Sequence, residues 1–274
     1  MKPADLFCLA LGALRGALLR TGLMLLAMAI AVAAVLLLTA LGEGARRYVV
    51  DSFAELGSHL LIVLPGRSET SGGAPPMPGE SPRDLTLEDA LALQRSPHVR
   101  HVAPLMLGSA LASRGSRERE VTVMGATWEL QQVRQLQLAR GRFLPAGDPR
   151  RSGPVVVLGD KLRQELFGHT NPLGEWLRLG DRRFRVIGVL SQLGRGIPVD
   201  FGDIALIPLS AASALFNQGS LYRILIQAQS REQVAAAKRF VLASLRARHE
   251  GEEDVTLITQ DALLATFDQI LRTL

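Results

Sequence analysis

The stretch Thr21–Gly42 (TGLMLLAMAIAVAAVLLLTALG) has 22 residues and no charged side chain. A helix rises 1.5 Å per residue, so about 20 apolar residues cross the ~30 Å hydrocarbon core of a bilayer. The pattern therefore predicts a transmembrane helix over residues 21–42. Residues 43–274, which are mostly polar, then form a domain on one side of the membrane.

The residues before this stretch argue against a cleaved signal peptide. A secretory signal has an apolar run of about 7–15 residues behind a short basic start. Here the run is longer, and the leucines of residues 1–20 recur at helical spacing, which predicts an amphipathic helix on the membrane surface. Residues 40–42 (ALG) make only a weak cleavage site. An uncleaved anchor is the favoured interpretation.

The flanking charges bear on orientation. Lys2, Arg15 and Arg20 precede the apolar stretch, and a basic pair that follows it is offset by nearby acids. Basic residues favour the cytoplasm, while a long downstream domain is translocated largely regardless of its charge. We therefore expect residues 1–20 to be cytoplasmic and residues 43–274 to be extracytoplasmic.

Composition excludes several classes of protein. The chain has 31 basic and 26 acidic residues, a net charge of +5, and the two signs alternate, as in Arg117–Glu120 (RERE). Without a long basic run or interleaved aromatic residues, nucleic-acid binding is not expected. A single cysteine, Cys8, excludes an intramolecular disulfide framework.

Motifs of catalysis and of cofactor binding fail on inspection. Gly153–Lys161 (GPVVVLGDK) does not fit the spacing of a phosphate-binding loop. His98 and His101 lack the third and fourth ligands that zinc requires, so we interpret them as surface histidines. Glu252–Asp254 (EED) is interpreted as a solvated turn. We predict no catalytic, cofactor-binding or metal-binding residue, and no cofactor.

Helical and strand patterns mix without strict alternation after the anchor, which predicts an α+β fold. The anchor helix is expected to continue over Glu43–Leu56, and Thr86 and Asp89 have the spacing of a capping box at the start of the next helix. Predicted helices are Leu85–Arg95, Asp160–Phe167, Ala211–Phe216, one capped by Ser230 and running to His249, and Asp261–Leu274. Predicted strands are His59–Leu64, Val99–Leu111, Glu120–Ala126, Val155–Leu158, Arg183–Leu190, Ile204–Leu209, Tyr222–Ala228 and Val255–Thr259. Predicted turns and loops are Gly66–Arg83, Ser113–Glu120 and Leu193–Gly202.

A series of short phrases in the middle of the chain resembles one known family. In order they are VTVMG (121–125), LARGRF (138–143), VVVLG (155–159), ELFG (165–168), PLG (172–174), FRVIGVL (184–190) and IPLS (207–210), followed by LRARH (245–249). Each is weak alone, but their order resembles the periplasmic core domain of MacB-type ABC transporter permeases. Their glycines mark the fold: Gly141 and Gly147 suit turns with positive φ, and Pro172–Gly174 suits a tight turn.

The resemblance implies a place in an export system. Members of the family have four membrane helices, form dimers in the bacterial inner membrane, and are driven by a cytoplasmic ATPase that is separate or fused. Some export drugs or peptides through a periplasmic adaptor, and relatives release lipoproteins. The extracytoplasmic domain transmits the ATPase-driven motion. It has two lobes, which here correspond to residues 43–120 with 223–274, and to an inserted lobe of residues 121–222.

The sequence departs from such a permease at its end. Leu274 is reached before three further membrane helices, so we expect a fragment, a truncated product or one part of an assembly whose ATPase is a separate chain. We expect a homodimer or heterodimer in the lipid bilayer, with loops 66–83 and 193–202 facing a periplasmic partner. A single-pass sensor or adhesion module and an anchored hydrolase remain as alternatives.

Overall fold

An unbroken helix contains the predicted membrane span. The structure is a computed structural model and describes residues 18–54, 59–66, 83–191, 195–196, 199–252 and 254–259. Helix α1 (Leu18–Ala54) includes Gly22–Ala40, which has a mean hydropathy of 2.8 and no residue buried by the rest of the chain. By length and composition this helix can cross a membrane. The amphipathic helix predicted over residues 1–20 lies almost entirely outside the described residues.

The chain separates into two compact units, Met1–Asp51 and Ser52–Leu274. Within the described part of the second unit, ten strands form one mixed sheet: β1 (Leu60–Pro65), β2 (Val99–Arg114), β3 (Arg117–Ala126), β4 (Leu138–Gly141), β5 (Val155–Leu158), β6 (Trp176–Leu179), β7 (Arg182–Leu190), β10 (Ile204–Pro208), β11 (Arg223–Ala228) and β12 (Val255–Thr259). Their order in the sheet is β12-β1-β11-β2-β3-β10-β5-β7-β4, and β6 pairs with β2 and β7. Most pairs are antiparallel, and β3/β10 and β5/β7 are parallel.

Both faces of the sheet are covered. One face packs against α2 (Leu87–Leu93), α4 (Asp160–Phe167), α5 (Leu209–Phe216) and α6 (Val234–Arg248). The other face packs against the short helix α3 (Glu129–Val133) and the segment that carries Leu136, Phe143 and Leu144. The α+β fold predicted from the sequence is confirmed, with the helices unequally divided between the faces.

The predicted charged turn over Ser113–Glu120 is wrong. Strands β2 and β3 pair without interruption from Leu105↔Ala126 to Arg114↔Arg117, so the turn is only Gly115 and Ser116. Gly115 has a φ of 59°, which suits a two-residue hairpin turn. Arg117, Glu118 and Glu120, which suggested a loop, are exposed while their backbone pairs, and Arg114 and Arg119 are half-buried.

Helix starts were predicted with mixed success. Thr86 accepts a hydrogen bond from the Asp89 backbone N–H, and Asp89 accepts one from the Thr86 N–H, which confirms the capping box at α2. The cap predicted at Ser230 is wrong, since α6 begins at Val234 without a side-chain cap. The Ser230 carbonyl instead accepts a hydrogen bond from the Gln233 N–H.

The predicted loop Leu193–Gly202 contains two short strands in its described part. Strand β8 (Arg195–Gly196) pairs with β9 (Val199–Asp200), and a 3₁₀ turn follows over Phe201–Asp203. The interior of the predicted loop Gly66–Arg83 and the predicted helix Asp261–Leu274 lie outside the described residues.

Candidate functional site

The first and last described strands of the sheet domain are paired at one edge of the sheet. Strand β12 forms that edge and pairs antiparallel with β1, from Pro65↔Val255 to Leu61↔Thr259. The first residues of β1 and the last residues of β12 therefore lie side by side. The far end of the pair is fixed by a hydrogen bond from the Gly66 N–H to the Asp254 carbonyl (2.8 Å) and one from the Thr256 hydroxyl to the Gly66 carbonyl (2.7 Å).

A polar cluster, buried except for Arg248, lies against this edge. It consists of Asp89 on α2, Arg248 and His249 at the end of α6, and Asp254 before β12. The His249 Nδ1 lies 2.5 Å from Asp254 Oδ1, and its Nε2 lies 3.5 Å from Asp89 Oδ2. The Arg248 Nε donates to Asp89 Oδ1 at 2.6 Å. Both carboxylates and the imidazole are at most 5% exposed.

The cluster ties three elements together electrostatically. Burial by itself would raise the pKa of Asp89, but hydrogen bonds from Arg248 and Thr86 outweigh it, so its pKa is lowered from the ordinary value. A carboxylate held ionised in this way fixes α2 against the carboxyl end of α6, and Asp254 extends the link to β12. Any movement of β12 relative to the helices must break these contacts.

The interpretation of Glu252–Asp254 as a wholly solvated turn is wrong for Asp254. Glu252 is exposed, whereas Asp254 is 5% exposed and bound to His249. The acids look alike in sequence, but Asp254 faces inward after the turn that ends α6, whereas Glu252 does not. The sequence signal for the His249–Asp254 pair is their spacing: the acid follows the histidine by five residues, just after the end of a helix.

The other histidines do not form a site. His98 and His101 are half-buried beside or within β2, and the His101 ring meets the edge of Trp128 at 6.0 Å between centroids. Burial, with a smaller effect of Arg100, lowers the pKa of His101. Among the described residues no group of three or more His, Cys, Asp or Glu could hold a metal ion.

A second charged cluster lies at the surface where α4 meets the 3₁₀ turn. Asp203 accepts hydrogen bonds from Lys161 Nζ (2.8 Å) and Arg119 (3.1 Å), and Arg119 also pairs with Glu165. Burial would raise the pKa of Asp203, but the two cations lower it. Because the basic partners are substantially exposed, we assign this network to surface stabilisation of modest size.

Comparison with known proteins identifies a matching protein family and several relatives. Residues 21–242 match the family model described as MacB-like periplasmic core domain. The chain is 32% identical over 251 residues to the pyoverdine export ATP-binding/permease protein PvdT of Pseudomonas entomophila, covering 89% of this chain and 37% of that one. It is 30% identical over 267 residues to the macrolide export ATP-binding/permease protein MacB of Marinobacter nauticus, covering 97% and 40%. The chain thus spans about two fifths of the length of these relatives.

Solved structures share the fold. The periplasmic region of MacB from Actinobacillus actinomycetemcomitans matches with a TM-score of 0.67 and 22% identity, over 78% of this chain and 95% of that one. The extracellular domain of the ABC-type transporter YknZ from Gram-positive bacteria matches with a TM-score of 0.61 and 20% identity, over 73% and 100%.

Proposed function

Because this chain belongs to the family with a MacB-like periplasmic core domain, we propose that it is a permease subunit, or the amino-terminal part of one, in an ATP-driven ABC export system. Helix α1 anchors it in the bacterial inner membrane with the amino terminus in the cytoplasm, and the sheet domain is periplasmic. A separate cytoplasmic chain hydrolyses ATP, and this chain is non-catalytic. The permease works as a homodimer or heterodimer.

The observation that carries this proposal is the pairing of β1 with β12 at one sheet edge. A domain inserted between two membrane helices needs its entry and exit close together, and Leu61 lies opposite Thr259. A displacement applied at that end acts on two paired strands at once. The backbone hydrogen bonds of the sheet and the cluster around Asp89 transmit this displacement to the rest of the domain. The domain in turn contacts a periplasmic partner.

The order of strands supports the division into two lobes. Strands β12, β1, β11 and β2 come from residues 43–120 and 223–274 and are neighbours in the sheet. Strands β10, β5, β7 and β4 come from residues 121–222 and are also neighbours. The hairpin β2–β3 and the pairing of β6 with β2 join the two groups. We propose that loops 66–83 and 193–202 present the periplasmic surface on which an adaptor docks.

The test is an affinity purification from detergent-solubilised native membranes, with the chain tagged at its amino terminus. We expect an ABC ATPase to be recovered in stoichiometric amount and to be identified by mass spectrometry. The matched control is a tagged single-span membrane protein of similar size from the same membranes, which should not recover it. Stable insertion of the chain without an ATPase would instead favour a stand-alone anchored module.

A further inference from the structure

Three arginines and a tryptophan project from one face of the hairpin β6–β7. Trp176 and Arg178 are exposed and alternate with buried leucines along β6, and Arg183 and Arg185 are exposed on either side of a buried phenylalanine on β7. The register places Trp176 opposite Arg185 and Arg178 opposite Arg183. Because successive side chains of a strand point to opposite faces, these four lie together on the outward face, here called the arginine face.

The guanidinium groups of the arginine face lack acidic partners among the described residues. The Arg178 Nε donates to the Gly180 carbonyl (2.9 Å), and the Arg185 Nε donates to the Gly174 carbonyl (3.2 Å). Arg183 makes no hydrogen bond or ion pair within the described part of the chain. The terminal nitrogens of the three groups therefore face solvent and can donate to a ligand.

The acids that flank the strands of the hairpin pair elsewhere. Glu175 pairs with Arg114 at 3.8 Å, and Asp181 pairs with Arg182 at 3.9 Å. On the other side, β2 separates the hairpin from the exposed Glu118 of β3. The described part of the fold therefore supplies no counter-charge to the arginine face.

Such an arrangement is unfavourable for the domain alone. Like charges that face each other directly across two strands destabilise a sheet, and Arg178 faces Arg183 in this way. Arg185 adds a third positive charge on the same face of β7. Carboxylates placed over the arginine face remove this repulsion and bind the guanidinium forks, whose planar donors match two oxygens at once.

Exposed apolar side chains accompany the charges. Among the described residues of the sheet domain, three large apolar side chains are exposed, namely Leu111, Trp176 and Leu242. Trp176 is 55% exposed, and Leu111, which is 47% exposed, borders the hairpin, since its carbonyl accepts a hydrogen bond from the Gly180 N–H (2.9 Å). Tryptophan and arginine are enriched at the centres of protein–protein interfaces. The composition of the arginine face is therefore that of a docking surface for a protein.

The arginine face lies far from the strand end by which the chain enters the sheet domain. Leu60, the first residue of β1, is level with His101 of β2 through β11. Ser113, which pairs with Arg178, lies further along β2. At about 3.3 Å per residue the strand covers about 40 Å between His101 and Ser113, several times the screening length of about 8 Å at physiological salt. With the membrane at the entry end, as proposed above, anionic lipids do not attract this face.

We propose that the arginine face docks an acidic surface of a partner protein. Carboxylates of the partner bind Arg178, Arg183 and Arg185, and Trp176 packs against an apolar side chain among them. This surface is separate from the loops 66–83 and 193–202. The choice of a protein over a lipid rests on the proposed function, whereas the binding of an acidic ligand does not.

The test uses the full chain in nanodiscs of phosphatidylcholine and a fluorescein-labelled oligoglutamate peptide, whose fluorescence anisotropy reports binding. We expect a saturable rise in anisotropy that weakens with added salt, because exposed ion pairs are screened. Nanodiscs of phosphatidylglycerol should leave the Kd within about threefold, because the arginine face lies beyond the screening length. Loss of binding in phosphatidylglycerol alone would assign the face to lipid and overturn the choice of partner, and no saturable binding in either lipid would overturn the proposal as a whole.

A variant without the three charges tests the assigned residues. The triple change Arg178→Gln, Arg183→Gln and Arg185→Gln should weaken peptide binding about tenfold or more, as expected for the loss of three exposed ion pairs. It should not lower Tm, because it removes like charges that face each other. A lower Tm together with unchanged peptide binding would show that the arginines serve the fold and would overturn the proposal.

A matched triple separates the arginine face from a general effect of charge. Arg95→Gln, Arg100→Gln and Arg140→Gln together remove the same charge from exposed positions on other elements. Their Kd for the peptide should stay within about twofold of the parent value, because charges beyond the screening length contribute little. An equal loss of binding in the two triples contradicts the assignment of the arginine face.

Discussion

Replacing Gly141 with alanine is expected to lower the free energy of unfolding by about 3–5 kcal/mol. Gly141 ends β4 with a φ of 79°, a conformation that residues with a side chain rarely adopt. An added Cβ would overlap the Ile187 carbonyl and lie 2.9 Å from the Gly188 Cα on the paired strand β7. Backbone atoms of the paired strand β7 cannot move aside as the end of a flexible side chain can.

Urea unfolding of the full chain in detergent, followed by tryptophan fluorescence, measures this loss. Gly153→Ala is the matched control, because Gly153 is exposed and a Cβ there meets nothing within 4 Å. The control should stay within about 0.5 kcal/mol of the parent chain. Equal stabilities for the two variants would contradict the described geometry of the β4–β7 pair.

Replacing Asp89 with alanine is expected to cost about 2–3 kcal/mol, because it removes a buried carboxylate that accepts a charge-assisted hydrogen bond from Arg248 and completes the capping box of α2. The change deprives Arg248 and His249 of an acceptor and abolishes the capping box of α2. Glu88→Ala on the same helix is the control. Its ion pair with Arg150 is more than half exposed on both sides, so the control should lose at most about 1 kcal/mol.

The pH dependence of stability gives the Asp89 prediction a second readout. The folded-state pKa of Asp89 lies below its unfolded value, so its contribution is complete above about pH 4 and is lost as the pH falls through the folded pKa. The parent chain should therefore lose more stability below pH 4 than Asp89→Asn does. Parallel stability–pH curves for the two chains would show that Asp89 is not held ionised by its partners.

Local signals in the sequence were sufficient for several elements. Thr86 and Asp89 form a capping box because a cap depends on residues three apart, and the predicted box is confirmed. Gly141 has the predicted positive φ, and Gly174, with a φ of 85°, closes the predicted turn after Pro172. The resemblance to MacB-type permeases is also confirmed by the family match over residues 21–242.

Features that depend on distant contacts were not predicted. Asp89 and Arg248 are separated by 159 residues, and only the sheet and the helices packed on it bring them together. Helix α3 and strand β6, of five and four residues, were missed, whereas the equally short β5 was predicted because its four residues are all apolar and follow Gly153 and Pro154. Arg223 looks like an ordinary basic residue in sequence, yet it is 7% exposed in the fold.

The transmission of ATPase-driven motion by the sheet domain is the central claim, and a spin-label distance tests it most directly. Cysteines replace Gly44 on α1 and Ser109, exposed on β2, in a Cys8→Ser background, and the assembly is purified with its ATPase. We predict that the distance distribution between the labels shifts when ATP is bound and returns after hydrolysis. Hydrolysis of ATP with an unchanged distribution would contradict the account.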